Sequence, residues 1–194
     1  MENNFNLKQF LAEGKLLKEE QNNSLTSINP DFTSDKVVTT SEYADDEGRL
    51  KSQFANQAYD FGGAEYPIPN STVVDIDEPV DDEKFIEWDL NEVGKFPPKK
   101  YINLTFTLPF IDNLDNLKQT ILNSLETGGI LILTEQIHWV SDFYNKIKSN
   151  FNILEIYDYL SVLNESMEDE DEENFYDDEE EDESEPITLV LKKK

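Results

Sequence analysis

The stretch that most constrains the fold is "SLETGGILILTEQ", residues 124–136, where two glycines precede an unbroken Ile-Leu-Ile-Leu. A run with no polar alternation has to be covered on both faces, which is the condition of an interior strand in a helix-covered parallel sheet. The residues ahead of it repeat apolar side chains at helical spacing. Leu114, Leu117, Ile121, Leu122 and Leu125 share one face of a helix expected over 112–126. Asp112 or Asn113 stands where the first free N–H groups of that helix need an acceptor. Gly128 is expected to stop the helix in the left-handed conformation and turn the chain into the core strand.

The same reading extends along the chain. "KVVTTSE" (36–42) predicts a strand, and 43–59 predicts a helix with Leu50, Phe54 and Ala58 on one stripe. "DFGGAEYPIPNS" (60–71) is turn-rich and predicts irregular structure with no strand before it. "STVVDID" (71–77), "EKFIEWDL" (83–90) and "KKYINLTFTL" (99–108) read as strands. "HWVSDFYNKIKSNF" (138–151) reads as a helix, followed by strands in "NILEIYDYLSVL" (152–163) and "PITLVLKKK" (186–194). Strands alternating with helices imply an α/β fold, a mostly parallel Rossmann-like sheet with helices on both faces. The last two strands have no helix between them, so an antiparallel final strand is expected. Residues 3–20 form an amphipathic pattern through Leu7, Phe10, Leu11 and Leu17, and 22–35 is a polar linker containing Pro30. The expected organisation is an N-terminal helix and linker (1–35), an α/β domain (36–163), an acidic disordered insert (164–186) and a closing strand with a basic end (187–194).

Charge narrows the partners. With 43 Asp and Glu against 16 Lys and Arg, the net charge is −27. Such a surface repels nucleic-acid phosphates and anionic membranes and favours a partner with a basic surface. No cysteine is present, and no apolar run approaches the length of a membrane span. The opening "MENNFNLKQF" lacks the basic and apolar regions of a secretory signal. A cytoplasmic protein is expected. The single His138 suits a surface or capping role, and Arg49 is the one arginine. Between 165 and 185 the chain has fifteen acidic residues and no basic one. A run this dense stays solvated. Phe175 and Tyr176 within it would serve as a docking anchor, or the run would mimic nucleic-acid phosphates and act as a decoy for a DNA-binding protein. It lacks the glycine and ligand spacing of a calcium loop, so no metal site is expected.

The stretch "NLTFTLPFIDNLDNLKQTILNSLETGGILILTE" resembles the second half of a class I S-adenosylmethionine-dependent methyltransferase. In that family a fourth strand leads into a helix that ends at a leucine and a proline-glycine-glycine turn before the fifth strand. Leu125 to Gly129 stands at that turn, with Thr127 in the place of proline. The resemblance implies S-adenosylmethionine as cofactor if the chain is active. It assigns the ribose hydroxyls to Asp75 or Asp77, the adenine end to Asp89, and the methyl acceptor to the neighbourhood of Pro109, Phe110 and Glu135. Pro109 and Phe110 echo the end of the Asn/Asp-Pro-Pro-Tyr motif of amino-group methyltransferases. The family's glycine-rich turn follows the first strand. After "KVVTT" there is no glycine, and Glu42 and Tyr43 occupy that place. The expectation is therefore a filled cofactor cradle and a domain that has lost catalysis and acts through protein contacts. An active methyltransferase and an acidic decoy are the alternatives. The opening "NNFNLKQFLAEGKLLKE" also resembles those of small acidic proteins of marine bacteriophages.

Overall fold

A computed structural model describes residues 25–46, 48–79, 84–158 and 186–194. The expected N-terminal helix and nearly all of the acidic insert lie outside the described residues.

The described chain divides into two units, residues 1–36 and 37–194. In the first, residues 25–28 are helical. Asn29 N–H donates to the Leu25 carbonyl (3.0 Å), and the Thr26 hydroxyl donates to the Phe32 carbonyl (3.1 Å). A 3-10 turn, Ser34–Lys36, follows.

The second unit is one eight-stranded sheet. Its strands are β1 (Val37–Val38), β2 (Ala58–Phe61), β3 (Thr72–Asp75), β4 (Lys84–Glu87), β5 (Lys99–Thr105), β6 (Leu125–Gln136), β7 (Phe151–Asp158) and β8 (Pro186–Lys193). Two α-helices, α1 (Leu114–Ser124) and α2 (Ile137–Ile147), connect β5 to β6 and β6 to β7. The spatial order is β1-β7-β8-β6-β5-β2-β3-β4. All pairings are parallel except the two made by β8, which is antiparallel to both β6 and β7. The sheet is thus mostly parallel and Rossmann-like, and the expected antiparallel last strand lies between its two predecessors. The chain runs outward from β2 to β3 and β4, then returns to β5 on the other side of β2. The β2/β5 boundary is the topological switch point, where ligands bind in open sheets of this kind.

Alternation along the strands divides the core in two. Ala58, Tyr101, Ile130, Ile132 and Val190 face one way, into a cluster with Ala44, Leu50, Ala55 and Ile68. Tyr59, Phe61, Ile102, Leu104, Leu131 and Leu133 carry the opposite parity and are fully buried as well. The buried stripes of α1 (Leu117, Ile121) and α2 (Val140, Phe143, Ile147) take no part in that first cluster. The first face is covered by 44–57, which contains a 3-10 helix, Ser52–Gln57.

Several expected elements differ. Residues 43–59 are not an α-helix. Asp45 ties a tight loop there, its carboxylate and carbonyl accepting from Arg49 N–H (3.0 Å) and Gly48 N–H (3.0 Å). Gly48 sits at φ +74°, a conformation open to glycine. The Asp-to-Gly turn signal outweighs the helical spacing of Leu50, Phe54 and Ala58. "KVV" contributes only the two-residue edge strand β1, far from the switch point, while the strand that leads into "DFGG" is Ala58–Phe61. At the other end, α1 stops at Ser124, with Leu125 N–H donating to the Ile121 carbonyl. The glycine pair forms a bulge at the start of β6 rather than a helix cap. The β5–β6 register jumps between the Lys99–Leu125 and Tyr101–Ile130 pairs, and Gly128 supplies the positive φ of +74°.

Candidate functional site

The switch point is built from the ends of β2, β3 and β5. After Phe61 the chain turns at Gly62, φ +73°. A Cβ on Gly62 would lie 2.4 Å from the Thr107 Oγ1, so glycine lets the β2 turn seat directly against the β5 end. Thr107 fixes that contact by donating to the carbonyls of Thr105 (2.9 Å) and Phe61 (3.3 Å). A Cβ on Gly63 would lie 2.4 Å from an Asp60 carboxylate oxygen. This "Asp60-Phe61-Gly62-Gly63-Ala64" turn is the glycine turn that the expected first strand lacked. The expectation that no strand precedes these glycines is corrected: they follow β2.

Parallel strands are ordinarily joined by a crossover of a dozen or more residues containing a helix. Here 62–71 joins β2 to β3 without one, and two carboxylates shape it. Asp60 accepts from Ile68 N–H (2.9 Å) and from the Asn103 side-chain amide (2.9 Å). Asp75, the last residue of β3, accepts from Ala64 N–H (3.1 Å), Ile76 N–H (2.7 Å) and Asp77 N–H (3.4 Å). Asn103 also accepts from Leu50 N–H (3.3 Å), which ties the preceding segment to the same centre. Burial pushes the Asp60 carboxyl above the usual carboxylate range, opposed by its hydrogen bonds and by the charge of Arg49.

The β4–β5 loop is held by the polar side of α1. Thr120 accepts from Gly94 N–H (2.7 Å), Ser124 accepts from Phe96 N–H (3.2 Å), and Asn123 donates to the Gly94 carbonyl (3.1 Å). Asn91 bridges outward to the helix start, accepting from Asp112 N–H (2.7 Å) and Asn113 N–H (3.2 Å). Asn113 is the N-cap, accepting from Asn116 N–H at 3.2 Å.

Two adjoining crevices open here. The first holds about 600 Å³ and is lined by Asp75, Ile76, Asp77, Trp88, Asp89 and Leu90, among others. The second holds about 640 Å³ and is lined by Arg49, Asp60, Gly63, Tyr66, Asn103 and Thr105, among others. Gly62, Glu65, Phe106 and Phe110 line both. Phe106 sits at φ +48°, strained for a bulky side chain, where its N–H donates to the Thr134 carbonyl (2.9 Å). Arg49 donates to the Tyr66 carbonyl.

The structure brings Asp75, Asp77, Asp89 and Phe110 together on the first crevice. Three backbone donors occupy much of the acceptor capacity of Asp75. Asp77 is exposed, and Asp89 accepts from Asn91 N–H (2.8 Å) through one oxygen. Pro109 lies on the 3-10 turn Leu108–Phe110 and lines neither crevice. Glu135 lies near the end of β6, buried, and also lines neither. Burial raises its carboxyl, and one of its oxygens has no hydrogen-bond partner. His138 stands exposed in the first turn of α2, its ring 5.3 Å from that of Trp139. Sequence reasoning missed Asp60, Arg49 and Asn103. The signal for Asp60 was an acidic residue within the otherwise apolar Ala58–Phe61, two positions before paired glycines. Among the described residues no group of three or more His, Asp or Glu is placed to hold a metal, and no helix is long and apolar enough to cross a membrane.

A Rossmann-like order with an antiparallel strand set between the last two parallel ones, and a glycine turn at the switch point, defines a class I methyltransferase-like fold. No family model matches the sequence, and no curated protein matches it. Among solved structures the chain is similar to the N-methyltransferase NodS from Bradyrhizobium japonicum WM9 in complex with S-adenosyl-L-homocysteine. That match has 10% identity and a TM-score of 0.47, and covers 70% of this chain and 76% of that one. A second is an S-adenosylmethionine-dependent methyltransferase from Mesorhizobium loti, at 12% identity and TM-score 0.45, covering 71% and 90%. A third is an rRNA methylase from Streptococcus thermophilus, at 11% identity and TM-score 0.41, covering 73% and 90%.

Proposed function

We propose that the paired crevices bind S-adenosylmethionine and that the chain is a divergent methyltransferase. The observation that carries this reading is the division of polar groups between them. The second crevice is lined by one guanidinium, Arg49, and one buried carboxylate, Asp60, the two charges that an amino-acid zwitterion needs. Each Asp60 oxygen has one protein donor, so each keeps a lone pair for an ammonium group. The first crevice offers Asp77 and the remaining capacity of Asp75 and Asp89 to hydroxyl and amino donors. Ile76, Trp88 and Leu90 give it apolar walls for a flat ring. No Lys or Arg lines it, so a diphosphate would meet only carboxylates there. That argues for an adenosyl group carrying an amino acid and against a dinucleotide.

When bound, the cofactor supplies a methyl group activated on a sulfonium. The protein's part is to hold the two ends of the donor apart, with Gly62 between them, and to present the region beside Phe106 and Phe110 to an acceptor. Methyl transfer depends on in-line positioning, so few reactive side chains are required.

Calorimetric titration of the full chain with S-adenosyl-L-homocysteine tests the reading. Saturable heat is expected, with Arg49→Ala and Asp77→Ala each weakening binding about tenfold, the order of one lost charge-assisted hydrogen bond. No heat at millimolar ligand from a folded chain sinks it, and so does tighter binding of a dinucleotide.

A further inference from the structure

Six large apolar side chains are strongly exposed among the described residues, and four of them ring the two crevices. Phe110 is 77% exposed, Tyr66 72%, Ile76 61% and Phe106 51%. Phe106 and Phe110 belong to both crevices, so the ring is thickest where the crevices meet. Scattered exposed apolar residues need no explanation, but a rimmed collar marks a surface built for contact. Phe106 holds its place at a strained backbone angle, a cost that packing alone does not require of an exposed residue. Glu65, Asp77 and Glu78 stand exposed around the collar on a chain of net charge −27. The connection from β2 to β3 carries no helix that would roof the mouth.

We infer that this collar is the docking surface for a basic polypeptide segment, the methyl acceptor of the site proposed above, on which this inference rests. Aromatic faces attract lysine ammonium and arginine guanidinium groups, and the surrounding carboxylates add long-range attraction for the same charges. Nucleic acid presents phosphates to the same carboxylates and is repelled. A small neutral acceptor has no use for a collar this exposed.

The test uses a fluorescent peptide of alternating Lys and Gly and follows its anisotropy on the full chain. Peptide binding is expected to weaken about tenfold in a Tyr66→Ser, Phe110→Ser double variant; both residues are exposed, so the fold is preserved. Binding is expected to persist when the acidic residues of 165–185 are all converted to their amides. Unchanged affinity in the collar variant overturns the inference, as does complete loss on amidation of 165–185. Equal binding of a labelled single-stranded DNA also overturns it. S-Adenosyl-L-homocysteine calorimetry on the wild-type chain separates the two proposals. Cofactor binding with no collar-dependent peptide binding defeats this one alone, and peptide binding without cofactor binding defeats the cofactor reading.

Discussion

The two sides of the switch point are made in different ways. On one side β5, β6, β7 and β8 are 7, 12, 8 and 8 residues long and are crossed by two α-helices. On the other, β2, β3 and β4 have 4 residues each and are joined by loops in which the described residues form no helix. The long side is held by apolar burial, with Ile132, Leu133, Leu189 and Val190 fully buried. The short side buries Phe61, Val73 and Val74 as well, and adds carboxylates and amides that reach backbone N–H groups across the loops. A sheet can therefore keep an open crevice without crossover helices, provided that buried polar side chains bond the backbone of the loops. Such bonds are directional, so they place loop atoms more specifically than burial does.

The largest test of this contrast is a cut in the long side. Ile132→Ala is expected to cost about 3 kcal/mol in urea unfolding, as a fully buried large-to-small change does. Val74→Ala in β3 removes two methyl groups and should cost about 1.5 kcal/mol. Equal losses would break the distinction.

Next in size is Asp60→Ala, which leaves Ile68 N–H and the Asn103 amide without their acceptor. About 2 kcal/mol is expected, more than Val74→Ala, because an orphaned buried donor costs its desolvation. Asp60→Asn sharpens the point through pH. The folded carboxyl is raised by burial, so its contribution is fully present below the ordinary carboxylate range and is lost as pH rises through the folded value. The disadvantage of the Asn variant should therefore shrink as pH increases from about 4. A constant difference would show that folding does not shift the Asp60 carboxyl.

The smallest effect concerns Lys99, at the start of β5. Its ammonium donates to the Ala58 carbonyl (2.8 Å) and the Thr72 hydroxyl (2.6 Å) and lies 4.5 Å over the Tyr59 ring. Burial and the nearby Lys84 lower it to about 8. The folded state thus favours the neutral amine, and that contribution is missing at neutral pH and gained as pH rises above 8. Wild type should gain thermal stability on Lys99→Met over that interval. A gap that does not change with pH would remove Lys99 from the account.

Legibility followed the same divide. The long side was readable because its elements carry strong local patterns: α1 repeats Leu114, Leu117 and Ile121 at helical spacing, and β6 runs unbroken from Ile130 to Leu133. Its polar stripe of Thr120, Asn123 and Ser124 gave no hint of the loop it holds, since a hydroxyl on a helix reads as solvent-facing until its partner is known. The short side was misread at 43–59, where Leu50, Phe54 and Ala58 kept helical spacing although they lie in a loop, a 3-10 turn and a strand. Asp75, Asp77 and Asp89 were legible as acids at strand ends, because strand ends carry turn formers and ligand groups alike. Arg49 was not, because nothing near it in the chain marks it; the Asp45 turn delivers it to the crevice wall.

By itself the sequence determined the sheet's class, its closing antiparallel strand and its anionic character, because each depends on composition or on a period that neighbouring residues set together. Only the tertiary structure decided that Ala58–Phe61 is the strand beside the switch point, that Gly62 and Gly63 turn there, and that Arg49 and Asp60 meet at one crevice. A four-residue strand has too few side chains to carry a period of its own. It exists through hydrogen bonds to β3 and β5, which the chain supplies only after folding.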